Sequence, residues 1–257
     1  MIWPATRMNR PFIVIGMLIC HLFRMTSAQQ QDPSTLNGGS AMAMAGDECV
    51  ALAVDQRFGS GMQMVNVSPR RVLVPHSKLL LAFTGLESDV QSISEELLIY
   101  IDSKRDFGLL HTPSKLTASS LISPRSMATL TSNVLYSKRA SPFYCEPIIA
   151  GLEEIEEVPD STNRTGKRYR SFLCSSDVLG AQLLAKDFVC SGAAKKSLYG
   201  TAEAMWKPGL GAEELGRVCA RAFLSALERD CLSGYGARIY IITSEGIVEQ
   251  EILGRSD

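Results

Sequence analysis

Two short apolar runs separated by a turn begin the regular part of the sequence. Residues 40–45 and 49–54 are largely apolar at consecutive positions, a pattern typical of strands that are buried on both faces. Gly46 and Asp47, which lie between the two runs, are typical of a tight hairpin turn. The pattern therefore predicts a sheet that is covered on both faces by other layers of the fold.

Helical spacing of apolar residues follows further along the chain. Thr84 is predicted to cap a helix with one apolar stripe. The members of this stripe are Leu86, Val90, Ile93, Leu97 and Ile101. Ser123 and Pro124 predict the start of a second helix, because serine caps helices and proline suits the first turn. Two more helices are predicted over residues 193–205 and 212–228.

The remaining strands flank these helices. They are predicted over residues 62–67, 71–74, 79–83, 146–152 and 169–175 and in the segments DFVCSG, ARIYIIT and GIVEQEIL. The order of strands, two helices, strands, two helices and strands indicates an α+β fold, with helices outside two stacked sheets. Residues 153–168, EEIEEVPDSTNRTGKR, are predicted to form a long solvated hairpin loop.

The first 35 residues differ in character from the rest. Arg7 and Arg10 precede the apolar stretch PFIVIGMLICHLF, and small residues end at Ala28, which is the layout of a secretory signal. The apolar stretch is short for a membrane span. A second interpretation is a disordered extension without a targeting role. The sequence thus predicts an N-terminal extension over residues 1–35 and one domain over residues 36–257.

Composition narrows the classes of function. The 257 residues are 46% apolar and 21% charged, which is ordinary for a globular protein with a sizeable core. A net charge of −1 disfavours nucleic acid or an anionic membrane as a partner. Seven cysteines without CxxC spacing and three scattered histidines predict neither a zinc site nor another cofactor. The cysteines are predicted to be reduced and mostly buried, as in intracellular proteins.

Five blocks of the sequence occur in a recognisable order between about residue 36 and residue 254. They are NGGSAMAMAGDECVALAVDQRFGSGMQMV, FTGLESDVQSISEEL, NVLYSKRASPFYCEPIIAGL, DFVCSGAAKKSLYG and ALERDCLSGYGARIYII. Together they resemble the β subunits of the 20S proteasome. The resemblance implies the four-layer αββα sandwich of N-terminal-nucleophile hydrolases, which agrees with the layering predicted above.

Active members of that family use a threonine at the mature N-terminus as the nucleophile, with its own α-amino group as the base. Counting back from the VDQR block, the equivalent position is Gly39, which has no hydroxyl. Arg71 stands at the position of the family's lysine and, unlike lysine, stays protonated. The other site residues of the family are matched by Asp55, Ser191, Asp230 and Ser233.

The resemblance therefore implies a degenerate site without catalysis. Each retained residue also has a structural explanation: Asp55 and Arg71 as an ion pair, Ser191 as a helix cap, and residues 230–234 as a turn. Ser40 is the next hydroxyl along the chain, but it is expected to point to the opposite side of its strand.

A second hypothesis is an active threonine peptidase whose N-terminus is created by processing at Thr35. Active members cleave themselves at a Gly-Thr junction, whereas Thr35 follows Ser34. The missing glycine favours the non-catalytic interpretation.

The resemblance also implies partners. Proteasome β subunits occupy fixed positions in a seven-membered ring, stacked against a second β ring and an outer α ring, in the cytoplasm and nucleus. We expect the chain to contribute packing surfaces to this protease of ubiquitin-dependent and other intracellular protein degradation, and to line a neighbouring substrate pocket. Residues 116–123 and 153–168 depart from the family's usual loop lengths.

Overall fold

Two five-stranded antiparallel sheets form the centre of the fold. The computed structural model describes residues 33–67, 69–111, 122–155 and 168–254. The signal-like segment lies outside the described residues, as do residues 116–121 and 156–167 of the two segments with unusual loop lengths. The division predicted at residue 35 stays a prediction for the same reason. Within the described ranges, no helix is long and apolar enough to cross a membrane.

The elements alternate in groups, as the apolar pattern predicts. The strands are β1 (Ser40–Ala45), β2 (Val50–Asp55), β3 (Arg57–Ser60), β4 (Gln63–Val67), β5 (Val72–His76), β6 (Leu79–Gly85), β7 (Cys145–Ile155), β8 (Arg168–Ser176), β9 (Gln182–Ala185), β10 (Phe188–Gly192), β11 (Ala237–Ile242) and β12 (Ile247–Ile252). The helices are α1 (Pro33–Leu36), α2 (Glu87–His111), α3 (Pro124–Ser137), α4 (Lys195–Met205) and α5 (Ala212–Leu227). The first sheet has the order β10-β1-β2-β11-β12, the second has the order β5-β6-β7-β8-β9, and β3 pairs with β4.

Three apolar cores hold four layers together. Successive residues of β1 point to opposite faces of the first sheet. Ala41 and Ala43 face the core between the two sheets, whereas Met42 and Met44 face the core beneath α4 and α5. A third core lies between the second sheet and helices α2 and α3. This arrangement confirms the αββα sandwich and explains why β1 and β2 carry apolar residues at consecutive positions.

Two strands, β3 and β9, were not predicted from the sequence. β3 is only four residues long and contains Gly59, so it carries no clear period-two signal. β9 lies at the edge of the second sheet, and its neighbouring residues Leu183 and Leu184 are both exposed. Neither strand alternates between apolar and polar residues, which is the pattern that sequence analysis depends on.

Two predicted helix caps are wrong, and one is confirmed. Thr84 lies in β6 rather than at a helix start, because the strand continues to Gly85. Ser191 lies in β10, and α4 begins at Lys195. Ser123 does cap α3, since its Oγ accepts a hydrogen bond of 3.1 Å from the Ser126 amide.

The cysteines allow a direct test of the cores. We expect a maleimide to label Cys231 rapidly in the folded chain, because its side chain is exposed. The other described cysteines are buried free thiols, and thiolate is the reactive form. Burial raises the pKa of Cys49 and Cys174 to about 11 and of Cys145 and Cys219 to about 12. Burial also raises the pKa of Cys190.

Peptide mapping after timed labelling measures this difference, and Cys231→Ser is the control that removes the fast reaction. Rapid labelling of any of the five buried thiols under native conditions would contradict the packing of the three cores.

Candidate functional site

Gly39 lies at the junction between the incoming chain and β1. Its backbone is in the left-handed region, with φ of 95°. The Gly39 amide donates a hydrogen bond of 3.1 Å to the Leu232 carbonyl, and its carbonyl accepts one of 2.9 Å from the Ala193 amide. In this chain the nitrogen of Gly39 belongs to a peptide bond with Gly38, so it is not a free α-amino base.

The guanidinium of Arg71 fills the space beside Gly39 where a side chain would lie. A Cβ atom added to Gly39 would be 1.8 Å from Nη1 of Arg71 and 2.4 Å from its Cζ. Both distances are far below van der Waals contact. A threonine cannot occupy this position unless Arg71 moves away, so the loss of the nucleophile and the presence of arginine at 71 are sterically matched.

Arg71 forms an ion pair with Asp55 in the interior, as the sequence predicts. Nη1 of Arg71 lies 2.6 Å from Oδ1 of Asp55, and both side chains are buried to 1% exposure or less. Oδ1 also accepts a hydrogen bond of 3.1 Å from the Ser40 amide, and Oδ2 accepts one of 3.4 Å from the Gly234 amide. Nε of Arg71 approaches Oε2 of Glu87 at 3.5 Å. These contacts fix both side chains in place.

Burial and charge together set the protonation of this pair. Burial raises the pKa of Asp55 from 3.8 to about 6, while the charge of Arg71 and the two backbone amides oppose that rise. Arginine cannot release its proton in the accessible pH range. Arg71 therefore cannot take a proton from a nucleophile, and the oxygens of Asp55 are engaged by Arg71 and by the Ser40 and Gly234 amides.

Ser40 belongs to a second polar cluster on the helix side of the sheet. Its Oγ lies 2.7 Å from Oγ of Ser233, which in turn donates to Oδ2 of Asp230 at 2.6 Å. Because the single hydroxyl proton of Ser233 goes to Asp230, the Ser40 hydroxyl is the donor to Ser233. The Ala194 amide donates to Oγ of Ser40 at 2.9 Å. Ser40 is fully buried and engaged, so the expectation that it points away from the nucleophile position is confirmed.

Ser191 belongs to a third cluster, between the two sheets. Its Oγ is hydrogen-bonded to Oγ1 of Thr84 and donates to the Glu146 carbonyl. Lys195 forms an ion pair of 3.1 Å with the Glu146 carboxylate. The structure therefore places Gly39, Asp55 and Arg71 together and directs Ser191 elsewhere. Asp230 and Ser233 are linked to the first three through Ser40, Leu232 and Gly234.

Within the described ranges, no group of histidine, cysteine, aspartate and glutamate side chains could hold a metal ion. A cavity of about 760 Å³ lies beside Asp230 and Ser233, and its walls do not include Gly39, Asp55 or Arg71. The surroundings of Gly39 are filled by the protein itself. Sequence analysis missed Asn37, whose Nδ2 donates a hydrogen bond to the Gly59 carbonyl and whose Oδ1 accepts one from the Glu87 amide. The only sequence signal for Asn37 is its place before two glycines.

Comparison with known proteins gives a consistent result. A family model described as Proteasome subunit matches residues 35–242. Proteasome subunit beta type-3-B of Arabidopsis thaliana is 38% identical over 221 residues, covering 86% of this chain and 97% of that protein. Proteasome subunit beta type-3 of Picea mariana is 36% identical over 221 residues, again covering 86% of this chain and 97% of that protein. The Trypanosoma brucei brucei protein of that name is 34% identical over 223 residues, covering 87% of this chain and 98% of its own.

Proposed function

The chain belongs to the proteasome subunit family, and on that basis we propose that it is a non-catalytic, structural β subunit of the 20S core particle. The observation that carries the proposal is the state of position 39. Gly39 has no oxygen, and the Arg71 guanidinium lies where the side chain of a nucleophile would be. Removal of the nucleophile lowers the rate of the serine protease subtilisin by roughly a million-fold.

Its proposed role is to complete a ring. Membership of the family implies assembly with other proteasome subunits; the finer proposal is one place in a β ring stacked between a second β ring and an outer α ring. Exposed apolar side chains on α2 and β9 support an assembled state, because lone soluble proteins seldom expose such groups together. They are Leu98, Ile99, Tyr100, Leu183 and Leu184.

We further propose that the chain acts in the cytoplasm and nucleus. The free thiols among its described cysteines support a reducing compartment. Fusion of residues 1–35 to a reporter tests this proposal. Glycosylation or secretion of the reporter would contradict it.

The central experiment is native mass spectrometry of the proteasome purified from the cells that make this chain. We expect the chain to be present in the particle and to remain unmodified by a hydroxyl-directed covalent inhibitor that labels the particle's active subunits. The labelled subunits are the internal control. Absence of the chain from the particle would overturn the assignment to the ring.

The second hypothesis, processing at Thr35, makes the opposite prediction. It requires a mature chain that begins at Thr35 and carries an inhibitor adduct on that residue. Thr35 lies in α1, ahead of Gly39, and the names of the relatives favour the beta type-3 subunit. An adduct on Thr35 would establish the peptidase hypothesis and refute the structural one.

A further inference from the structure

A small cavity lies where β2 ends and β5 and β11 begin. Its volume is about 120 Å³, whereas one water molecule needs roughly 10–15 Å³ of cavity volume. Pockets that hold drug-sized ligands are larger, at about 300–1,000 Å³. The size therefore suits a small ion together with a few water molecules.

Positive charge predominates in the wall of this cavity. Three guanidinium groups line it, those of Arg70, Arg71 and Arg238, whereas Asp55 supplies the one carboxylate among the lining residues. The hydroxyl of Tyr240, which also lines the cavity, adds no negative charge at neutral pH, because burial raises its pKa. The wall therefore attracts an anion.

Two further carboxylates reduce the positive charge without belonging to the wall. Glu87 lies 3.5 Å from Nε of Arg71, and Glu249 lies 3.1 Å from Nε of Arg238. The side chain of Glu249 is 53% exposed, so solvent weakens its attraction for the arginine. Arg70 is exposed and forms no ion pair with a residue that the structure describes. The charge of Arg70 is thus left for a ligand.

The buried guanidinium of Arg71 has a donor to spare. Nη1 is bound to Asp55 and Nε approaches Glu87, but Nη2 is buried and has no hydrogen-bond partner in the described part of the chain. The whole side chain is only 1% exposed. Buried polar groups are nearly always paired, because an unsatisfied donor has lost its hydration without compensation. Nη2 therefore requires an acceptor from outside the chain.

We propose that this cavity binds a small inorganic oxyanion such as phosphate, held by Nη2 of Arg71 and by the guanidinium of Arg70. Guanidinium groups suit oxyanions, because their donors form a planar fork that matches two oxygens. A lysine at position 71 would supply the charge but not the spare nitrogen. The proposal goes beyond the structural role proposed above and does not depend on it.

The test measures binding of inorganic phosphate to the full-length chain by phosphorus NMR at constant ionic strength. We expect saturable binding by the unaltered chain and about tenfold weaker binding by Arg70→Gln, because one charge-assisted hydrogen bond to the anion is lost. Arg71→Lys keeps the charge beside Asp55 and removes Nη2, so it should weaken binding by a similar factor. Arg70 is exposed, so Arg70→Gln decides the matter if Arg71→Lys does not fold.

Arg221→Gln is the matched control. Arg221 lies in α5, is exposed and does not line the cavity, so the substitution removes the same charge from a different part of the surface. This variant should bind phosphate as the unaltered chain does. Equal weakening in Arg221→Gln and Arg70→Gln would show that net charge alone attracts the anion, and it would overturn the site.

The assembled particle distinguishes a free anion from a carboxylate of another subunit. Phenylglyoxal modifies accessible arginines, and peptide mapping locates the modified residues. We expect Arg70 to react in the particle without phosphate and to be protected when phosphate is added. Protection of Arg70 in the particle before phosphate is added would assign the site to another subunit and overturn the proposal.

Two further results would contradict the site. If the unaltered chain shows no saturable binding, the cavity does not hold phosphate. If Arg71→Lys binds phosphate as tightly as the unaltered chain, Nη2 is not a donor to the anion. Neither result affects the proposed function, which fails only if the chain is absent from the particle or carries an inhibitor adduct.

Discussion

Gly39→Thr is expected to leave the chain without peptidase activity and to lower its free energy of unfolding by about 3 kcal/mol or more. Two costs combine. The new Cβ would lie 1.8 Å from Nη1 of Arg71, and the backbone φ of 95° is unfavourable for a β-branched residue. If Arg71 moved aside, Asp55 would lose its partner in the interior. The substitution creates a Gly-Thr junction between residues 38 and 39, but Arg71 still stands where the family has a lysine and cannot take up a proton.

Denaturant unfolding of the full-length chain measures the stability, and labelling by a hydroxyl-directed inhibitor in the particle measures the activity. Gly209→Ala is the matched control for the backbone cost. Gly209 has a φ of 79°, but no atom lies within 4 Å of the place where its Cβ would be. For a like-for-like comparison, alanine is placed at both positions. Gly39→Ala should lower the free energy of unfolding much more than Gly209→Ala does. Equal costs would show that Arg71 does not fill the site, and an inhibitor adduct at position 39 of the Gly39→Thr variant would refute the closed site.

The apolar pattern predicted the layers of the fold because burial on both faces leaves a direct trace in the sequence. β1 and β2 are buried at every position, which requires a sheet that is covered on both sides. The two wrong caps have a physical cause as well. Thr84 and Ser191 are typical capping residues, but they lie in strands that face each other, and their hydroxyls are hydrogen-bonded to one another. The two residues are 107 positions apart in the sequence, so no local sequence pattern indicates their contact.

The candidate site was predictable in part. The absence of a hydroxyl at Gly39 and the ion pair of Asp55 with Arg71 follow from residue identity and from the resemblance. The position of the guanidinium over Gly39 does not, because a long side chain has several rotamers and only the packing around it selects one. Asn37 was missed for a related reason: its side chain is hydrogen-bonded to Gly59 of β3 and to Glu87 of α2, two elements that adjoin only in the folded chain.

The exposed apolar residues of α2 and β9 connect the fold with the proposed assembly. Leu183 and Leu184 lie on an edge strand and belong to none of the three buried cores. Exposed edge strands are usually protected in monomers. Their exposure is consistent with a surface that a neighbouring subunit covers. The interior supplies stability, and the exposed apolar surface is available for the contacts of the proposed assembly.

Arg71→Met is expected to lower the free energy of unfolding by about 3–5 kcal/mol at neutral pH, because it leaves the Asp55 carboxylate buried without its partner. Asp55 is fully enclosed, and two backbone amides at 3.1 and 3.4 Å would be its remaining donors. The double variant Asp55→Asn with Arg71→Met removes both charges and should recover much of the loss. A double variant as unstable as Arg71→Met would show that packing, rather than charge, sets the cost.

The loss in Arg71→Met should also depend on pH. In the unaltered chain burial raises the pKa of Asp55 from 3.8 to about 6, and removal of the arginine charge raises it further. A carboxyl with a raised pKa binds its proton more tightly in the folded state, so its contribution to stability is present at low pH and is lost as pH rises through the folded pKa. The difference between Arg71→Met and the unaltered chain should therefore be smaller at about pH 5 than at about pH 7.5. The stability of the double variant, which has no carboxyl at 55, should lack the pH dependence that this group confers. A difference between Arg71→Met and the unaltered chain that grew towards acid would contradict a buried ionised Asp55.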